Sequence, residues 1–133
     1  MIAASTLALI SASGFTFATA GPVLRNCTQA NLWSPATSEW HLNATCWDNV
    51  HVLTCSQIEL DLCFADIDGQ LEPSANGEGI RNCQDCSLQE SDLCCQCEGN
   101  DGKYQDSCTD LGETMTVSDD GLLSCWGWIA DQC

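Results

Sequence analysis

The chain has 133 residues and carries 19 Asp plus Glu against Arg25, Arg81 and Lys103, a formal net charge of −16. A surface this acidic repels phosphate backbones and anionic lipid headgroups, which argues against nucleic acid and membrane surfaces as partners. Twelve cysteines, an even and dense set for this length, read as the disulfide framework of an exported protein.

Residues 1–20 hold no charged side chain, run apolar from Ile2 to Phe17, and end in Ala18-Thr19-Ala20 before Gly21. That is the pattern of a signal peptide with an A-x-A cleavage site. Ser5, Thr6, Ser11, Ser13 and Gly14 interrupt the run, which is shorter than the roughly 20 residues a spanning helix needs. The expectation is a secreted, extracellular protein whose mature part, residues 21–133, is a single domain containing every cysteine.

The mature part repeats itself. Asn26-Cys27 returns as Asn82-Cys83, Leu42-x-x-x-Cys46 as Leu93-x-x-x-Cys97, and Asp68-Gly69-x-Leu71 as Asp120-Gly121-x-Leu123, at offsets of 56, 51 and 52 residues. Two halves follow, about 25–75 and about 76–125, with a joint over 73–79 and a Trp/Cys tail at 126–133. In the first half, Ser56 to Leu62 alternates and predicts a strand with Ile58, Leu60 and Leu62 on one face and Gln57, Glu59 and Asp61 on the other. A single helical turn also fits Ile58 to Phe64, and another fits Leu111 to Val117. In the second half, Leu93, Cys95 and Cys97 share one strand face while Cys94 and Gln96 face away, so the adjacent Cys94 and Cys95 need different partners. Thr114 to Val117 alternates likewise, and Asp68-Gly69, Asn100-Asp101-Gly102 and Asp120-Gly121 mark hairpin turns. The fold class is therefore mostly β.

Two tandem halves, each with a Cys, then L-x-x-x-C, then S-x-I-x-L-D, then an Asp-Gly turn before Leu, resemble the cyanovirin-N homology family. The residues that carry the likeness are Cys27, Leu42 to Cys46, Ser56 to Asp61 and Asp66 to Leu71. In the second half they are Asn82 to Leu88, Leu93 to Cys97, Asp101 to Tyr104 and Ser118 to Cys125. The second half departs from the pattern at Ser107 to Gly112, where no clean S-x-I-x-L-D stands. The likeness implies a pseudo-symmetric tandem repeat of triple-stranded sheets and β-hairpins with short helical turns. It also implies one bridge per half, Cys27 to Cys46 and Cys83 to Cys97, each closing a loop whose chain entropy is worth about 3 kcal/mol. The extra cysteines Cys63, Cys86, Cys95 and Cys125 look like those of a cysteine-rich, secreted fungal branch. Cys86 to Cys95 nested in the second loop and Cys63 to Cys125 between halves are the expected pairs, and Cys55, Cys94, Cys108 and Cys133 carry no assignment. A zinc site on Cys83, Cys86, Cys95 and Cys97 suits tetrahedral thiolates but not secretion or the one-residue spacer of Cys95-Gln96-Cys97. A redox reading of Cys83-Gln84-Asp85-Cys86 lacks the flanking strand and helix pattern. No metal and no cofactor are expected.

In lectins of this family, glycan pockets form where the Asp-Gly turn of one half meets segments flanking the cysteines. Carried onto matching positions, one carbohydrate-binding pocket uses Asp66, Asp68, Glu78, Arg81, Asn82, Glu98 and Asn100. The other uses Arg25, Asn26, Trp47, Asn49, Ser118 and Asp120. Carboxylates and amides suit neutral hydroxyls as charge-assisted or neutral hydrogen-bond partners. Asp68 and Asp120 equally suit a turn without any ligand. Asn26-Cys27-Thr28 and Asn43-Ala44-Thr45 are N-glycosylation sequons, and a glycan on Asn26 would cover its pocket. Trp33, Trp40, Trp47, Trp126 and Trp128 serve either to fill a thin core, the weightier reading, or to stack on sugars, with Trp47 the best candidate for stacking.

His41 and His51 are the only histidines, G-x-S-x-G is absent, and no activated nucleophile is visible, so the expectation is a non-catalytic lectin. Its partners would be glycans, a mannose-rich oligosaccharide or glycoprotein. A monomer or domain-swapped dimer fits a duplicated chain with a short joint. The alternative is a secreted effector, protein-interaction or structural module that has lost sugar binding.

Overall fold

The computed structural model describes residues 22–35, 39–75 and 79–133. The signal-peptide-like segment 1–20 and Glu78 lie outside the described residues. A short helix α1 (Pro22–Arg25) leads into strands β1 (Cys27–Trp33), β2 (His41–Trp47) and β3 (Leu53–Glu59), then a 3-10 turn (Leu60–Leu62) and the hairpin β4 (Phe64–Ile67) and β5 (Gln70–Pro73). The same order returns as β6 (Cys83–Gln89), β7 (Asp92–Glu98), β8 (Tyr104–Asp110), a 3-10 turn (Leu111–Glu113), β9 (Met115–Val117) and β10 (Leu123–Cys125). The tail adds β11 (Trp128–Ile129) and β12 (Asp131–Gln132). All strand pairs are antiparallel, in sheets ordered β12-β3-β2-β1, β4-β5, β6-β7-β8 and β9-β10-β11. The chain is mostly β, as its alternating runs predict.

Alternation places the core. On β2, Leu42, Ala44 and Cys46 turn inward, and on β7 Leu93, Cys95 and Cys97 do the same. Phe64, Leu60, Ile80, Leu111, Met115 and Leu123 complete one continuous buried cluster. Each such side chain contributes about 1.5–3 kcal/mol on leaving water.

The predicted strand over Ser56 to Leu62 stops early, at Glu59. Leu60 N–H donates to the Trp40 carbonyl at 2.9 Å and Cys63 N–H returns to the Leu60 carbonyl at 3.0 Å. The turn keeps Leu60 fully buried, leaves Leu62 half-buried, and delivers Cys63 to Cys125. The irregular second half makes its matching turn with the same pair of bonds, Leu111 N–H to the Ser91 carbonyl at 3.0 Å and Thr114 N–H to the Leu111 carbonyl at 3.1 Å, and adds one more. Asp110 Oδ1 accepts from Gly112 N–H at 2.9 Å, a side-chain cap that needs no S-x-I-x-L-D.

Six disulfides hold the framework. Cys27–Cys46 and Cys83–Cys97 join directly paired residues of β1 with β2 and of β6 with β7. Cys86–Cys95 adds a second staple between β6 and β7, and Cys63–Cys125 ties the end of the first 3-10 turn to β10. Cys94 pairs across the opposite sheet face with Cys108, and Cys55 takes Cys133, which brings the tail back to β3. The four sulfurs that a zinc or redox reading would use are thus engaged in two disulfides.

Each hairpin crosses to the sheet of the other half. Leu71 of β5 donates its N–H to Ser107 Oγ on β8 at 2.9 Å, and Leu123 of β10 donates to Ser56 Oγ on β3 at 3.0 Å. The tail tightens this exchange. Trp126 (φ 51°) and Gly127 (φ 86°) form a two-residue turn between β10 and β11, with both residues in the left-handed region that such a turn demands. Trp126 Nε1 donates to the Cys63 carbonyl at 3.2 Å, and Asp131 and Gln132 then pair with Gln57 and Ser56 of β3.

The tryptophans do not fill the core. Only Trp40 packs half-buried against it, while Trp33, Trp47, Trp126 and Trp128 are 40–52% exposed. Leucines, Phe64 and the cystines already occupy the interior between sheets, so the indoles are left on the rim.

Candidate functional site

The 51-residue repeat builds two loops of one design. After Cys46, Asp48 N–H donates to the Val52 carbonyl at 2.9 Å and His51 N–H to the Asp48 carbonyl at 3.3 Å. After Cys97, Gly99 N–H donates to the Lys103 carbonyl and Gly102 N–H to the Gly99 carbonyl, both at 2.9 Å. Each loop is braced from the preceding strand in the same way. Trp47 N–H donates to the Asn26 carbonyl at 2.8 Å, and Glu98 N–H to the Asn82 carbonyl at 3.0 Å.

Each loop then receives the Asp-Gly turn of the opposite half. At the first loop, Asn49 N–H donates to the Asp119 carbonyl at 2.9 Å. Gly121 (φ 81°) sits so close that a Cβ would stand 3.1 Å from the Cys46 carbonyl oxygen and 3.3 Å from Asp48 Cβ. Glycine is needed there for both backbone conformation and space. At the second loop, Asn100 N–H donates to Asp68 Oδ1 at 2.8 Å, and Gln105 Nε2 donates to the Gly69 carbonyl at 3.1 Å.

The first-half site is an open pocket of about 520 Å³ lined by Asn26, Trp47, Asp48, Asn49 and His51. Three of these were predicted, and Asp48 and His51 were not. Asp48 shapes the loop, its Oδ1 accepting from Val50 N–H at 2.9 Å and Val52 N–H at 2.8 Å. His51 holds φ 63°, where its repeat mate Gly102 holds 81°. A histidine at a position its repeat gives to glycine is the sequence signal that could have found it. Asp120 is exposed on the docked turn, Ser118 Oγ is engaged by Leu122 N–H at 3.2 Å, and Arg25 ends α1 just before Asn26. The exposed side chains of Asn26, Trp47, Asn49, His51 and Asp120 make no hydrogen bond among the described residues.

The second-half site is more self-engaged. Asp68 Oδ1 caps Asn100, Asp66 Oδ1 accepts from Gly69 N–H at 2.7 Å, and Asp66 Oδ2 is buried with no partner beside the Cys83–Cys97 bridge. Arg81 Nε reaches Asp61 Oδ2 at 3.3 Å. Asn82 and Asn100 stay exposed and Glu98 is half-buried. Its loop is charged, with Asp101 and Lys103, whereas the first-half loop exposes Trp47, Val50, Val52 and Leu53.

Two disulfide-stapled halves that exchange hairpins, each docking its Asp-Gly turn on a loop of the other, define a duplicated β-domain class. The chain belongs to the CVNH domain family, whose model matches residues 24–124. It is similar to microvirin, solved as a mannobiose complex, at 23% identity and a TM-score of 0.63, covering 79% of this chain and 99% of that one. It is also similar to GzCVNH of Gibberella zeae, at 14% identity and a TM-score of 0.60, covering 76% of this chain and 94% of that one. A third likeness is to a MoCVNH3 variant in complex with (N-GlcNAc)4, at 13% identity and a TM-score of 0.63, covering 80% and 97% of the two chains. No curated protein matches the chain by sequence.

Proposed function

We propose that this protein is a carbohydrate-binding lectin that acts by recognition without catalysis, using the first-half pocket for a mannose-type or related neutral glycan. The observation that carries the reading is the set of unengaged polar side chains Asn26, Asn49 and His51 that line the pocket with the exposed Trp47, and Asp120, exposed on the turn docked against that loop. An aromatic face accepts the C–H surface of a sugar ring while amides and a carboxylate hold its hydroxyls. Family membership and a mannobiose complex of a similar protein support it.

The second-half pocket, with Asp66, Asp68 and Arg81 already engaged, is the weaker site. The protein works outside the cell, where six disulfides persist, as a monomer or as a domain-swapped dimer through its exchanged hairpins. The second reading, a protein-interaction module, is favoured by one observation, the exposed Trp126, Trp128 and Ile129 of the tail. A glycan array probed with oxidised, refolded residues 21–133 tests the choice. Binding to mannose-terminated or related neutral glycans is expected. Silence across the array at high protein concentration, with all six bridges verified by mass, overturns the lectin reading.

A further inference from the structure

The structure separates the two N-x-T sequons. Asn43 sits mid-strand on β2 between β1 and β3, half-covered, with its carboxamide oxygen holding Trp33 Nε1 at 3.0 Å. Asn26 stands exposed in the turn between α1 and β1, its carboxamide making no hydrogen bond among the described residues. Thr28, the sequon's third residue, is also exposed, and its hydroxyl makes only a long 3.4 Å contact with the Thr45 carbonyl. The same Asn26 lines the first-half pocket with Trp47, Asn49 and His51.

We propose that Asn26 is an N-glycosylation acceptor and that its glycan closes the first-half pocket, so that the modified chain is the silent form of the binder. The proposal rests on the pocket reading above. The chemistry needs only the transfer of a lipid-linked oligosaccharide to the Asn26 amide nitrogen, with release of the lipid pyrophosphate. That transfer belongs to the oxidising secretory compartment that six disulfides also require. The first sugar of the attached chain is covalently anchored on the pocket wall beside Trp47. It therefore competes with a free glycan at the effective concentration of a tethered ligand, in the mM range for a short tether. The apparent affinity for free ligand falls by about the ratio of that effective concentration to the attached sugar's own dissociation constant.

The test compares full-length protein secreted from a eukaryotic host with mature protein refolded from bacteria, each as wild type, Thr28→Val and Asn43→Gln. Thr28→Val removes the hydroxyl that the transferase requires and keeps both Asn26 and a β-branched strand residue. Occupancy is read by peptide mass, and binding by titration with mannobiose and with whichever array glycan binds best. Secreted wild type and Asn43→Gln should carry a glycan at Asn26 and bind at least about tenfold more weakly than secreted Thr28→Val. Secreted Thr28→Val should match the refolded protein. An unmodified Asn26 in secreted wild type, or a modified one that binds as well as Thr28→Val, overturns the proposal. If refolded wild type and Thr28→Val both fail to bind any glycan, the pocket reading falls and the closure falls with it, while occupancy at Asn26 is still decided by mass.

Discussion

The buried hydroxyl of Ser56 accepts the N–H of Leu123 at 3.0 Å, joining residues 67 positions apart in sequence across the two halves. Its repeat counterpart, Ser107 with Leu71 at 2.9 Å, joins the halves in the opposite direction. These two bonds explain why a serine opens the motif in each half. It supplies the side-chain acceptor for a backbone donor on a hairpin that arrives from elsewhere in the chain.

Replacing Ser56 by Ala therefore leaves the Leu123 N–H buried without a partner, at a cost of about 1–3 kcal/mol. Ser107→Ala should cost less, because Ser107 is half-buried where Ser56 is fully buried, which gives water a shorter way to the freed Leu71 donor. Urea unfolding of the two variants, at unchanged m-value, checks the order. Equal loss in both would show that burial does not govern these bonds.

The Asp-Gly turns are not equivalent: the Asp68 carboxylate is engaged within the protein, whereas that of Asp120 makes no hydrogen bond among the described residues. Asp68 holds φ 52° and caps Asn100, so Asp68→Ala should lower stability by about 1 kcal/mol and leave first-half glycan binding intact. Asp120→Ala should leave stability within about 0.5 kcal/mol and weaken that binding roughly tenfold, the worth of one charge-assisted hydrogen bond. Thermal melts and glycan titration of both variants decide. The reverse assignment would place the working pocket in the second half.

His51 occupies a left-handed backbone position that its repeat mate gives to glycine. His51→Gly should raise stability, by up to about 1 kcal/mol once the glycine's own entropy is counted. It should also weaken glycan binding about fivefold through loss of one hydrogen-bonding group. The melting temperature and the dissociation constant should thus move in opposite senses. A variant that gains stability and keeps full affinity would show that His51 is a tolerated turn residue and no more.

Cys55–Cys133 has a sequence separation of 78 and Cys94–Cys108 one of 14, but the intact Cys63–Cys125 bridge reduces the loop that Cys55–Cys133 closes to the short arms 55–63 and 125–133. The expected losses on paired Ser replacement are therefore similar, about 3 kcal/mol each. The first loss should also free β12 from β3, visible as fast amide exchange at Asp131 and Gln132. Cys94–Cys108 removal should leave those amides protected.

Sequence by itself determined a great deal here. Alternation grouped the side chains of β3, β7 and β9 by face, because side-chain direction in a strand follows a period of two whatever the strand packs against. The duplicated Cys, Leu and Asp-Gly spacings pointed to the family, and the adjacency of Cys94 and Cys95 required separate partners. What sequence could not hold is anything settled by contacts between distant residues. The end of β3 at Glu59 is set by the Trp40 carbonyl, the partners of Cys55 and Cys108 by where the tail and β7 come to lie, and the outward Trp33, Trp126 and Trp128 by a core that leucines and cystines had already filled. The difference between the two pockets is of the same kind. Both halves carry aspartates at their turns, but only the tertiary structure engages Asp66 and Asp68 within the protein and leaves Asp120 exposed.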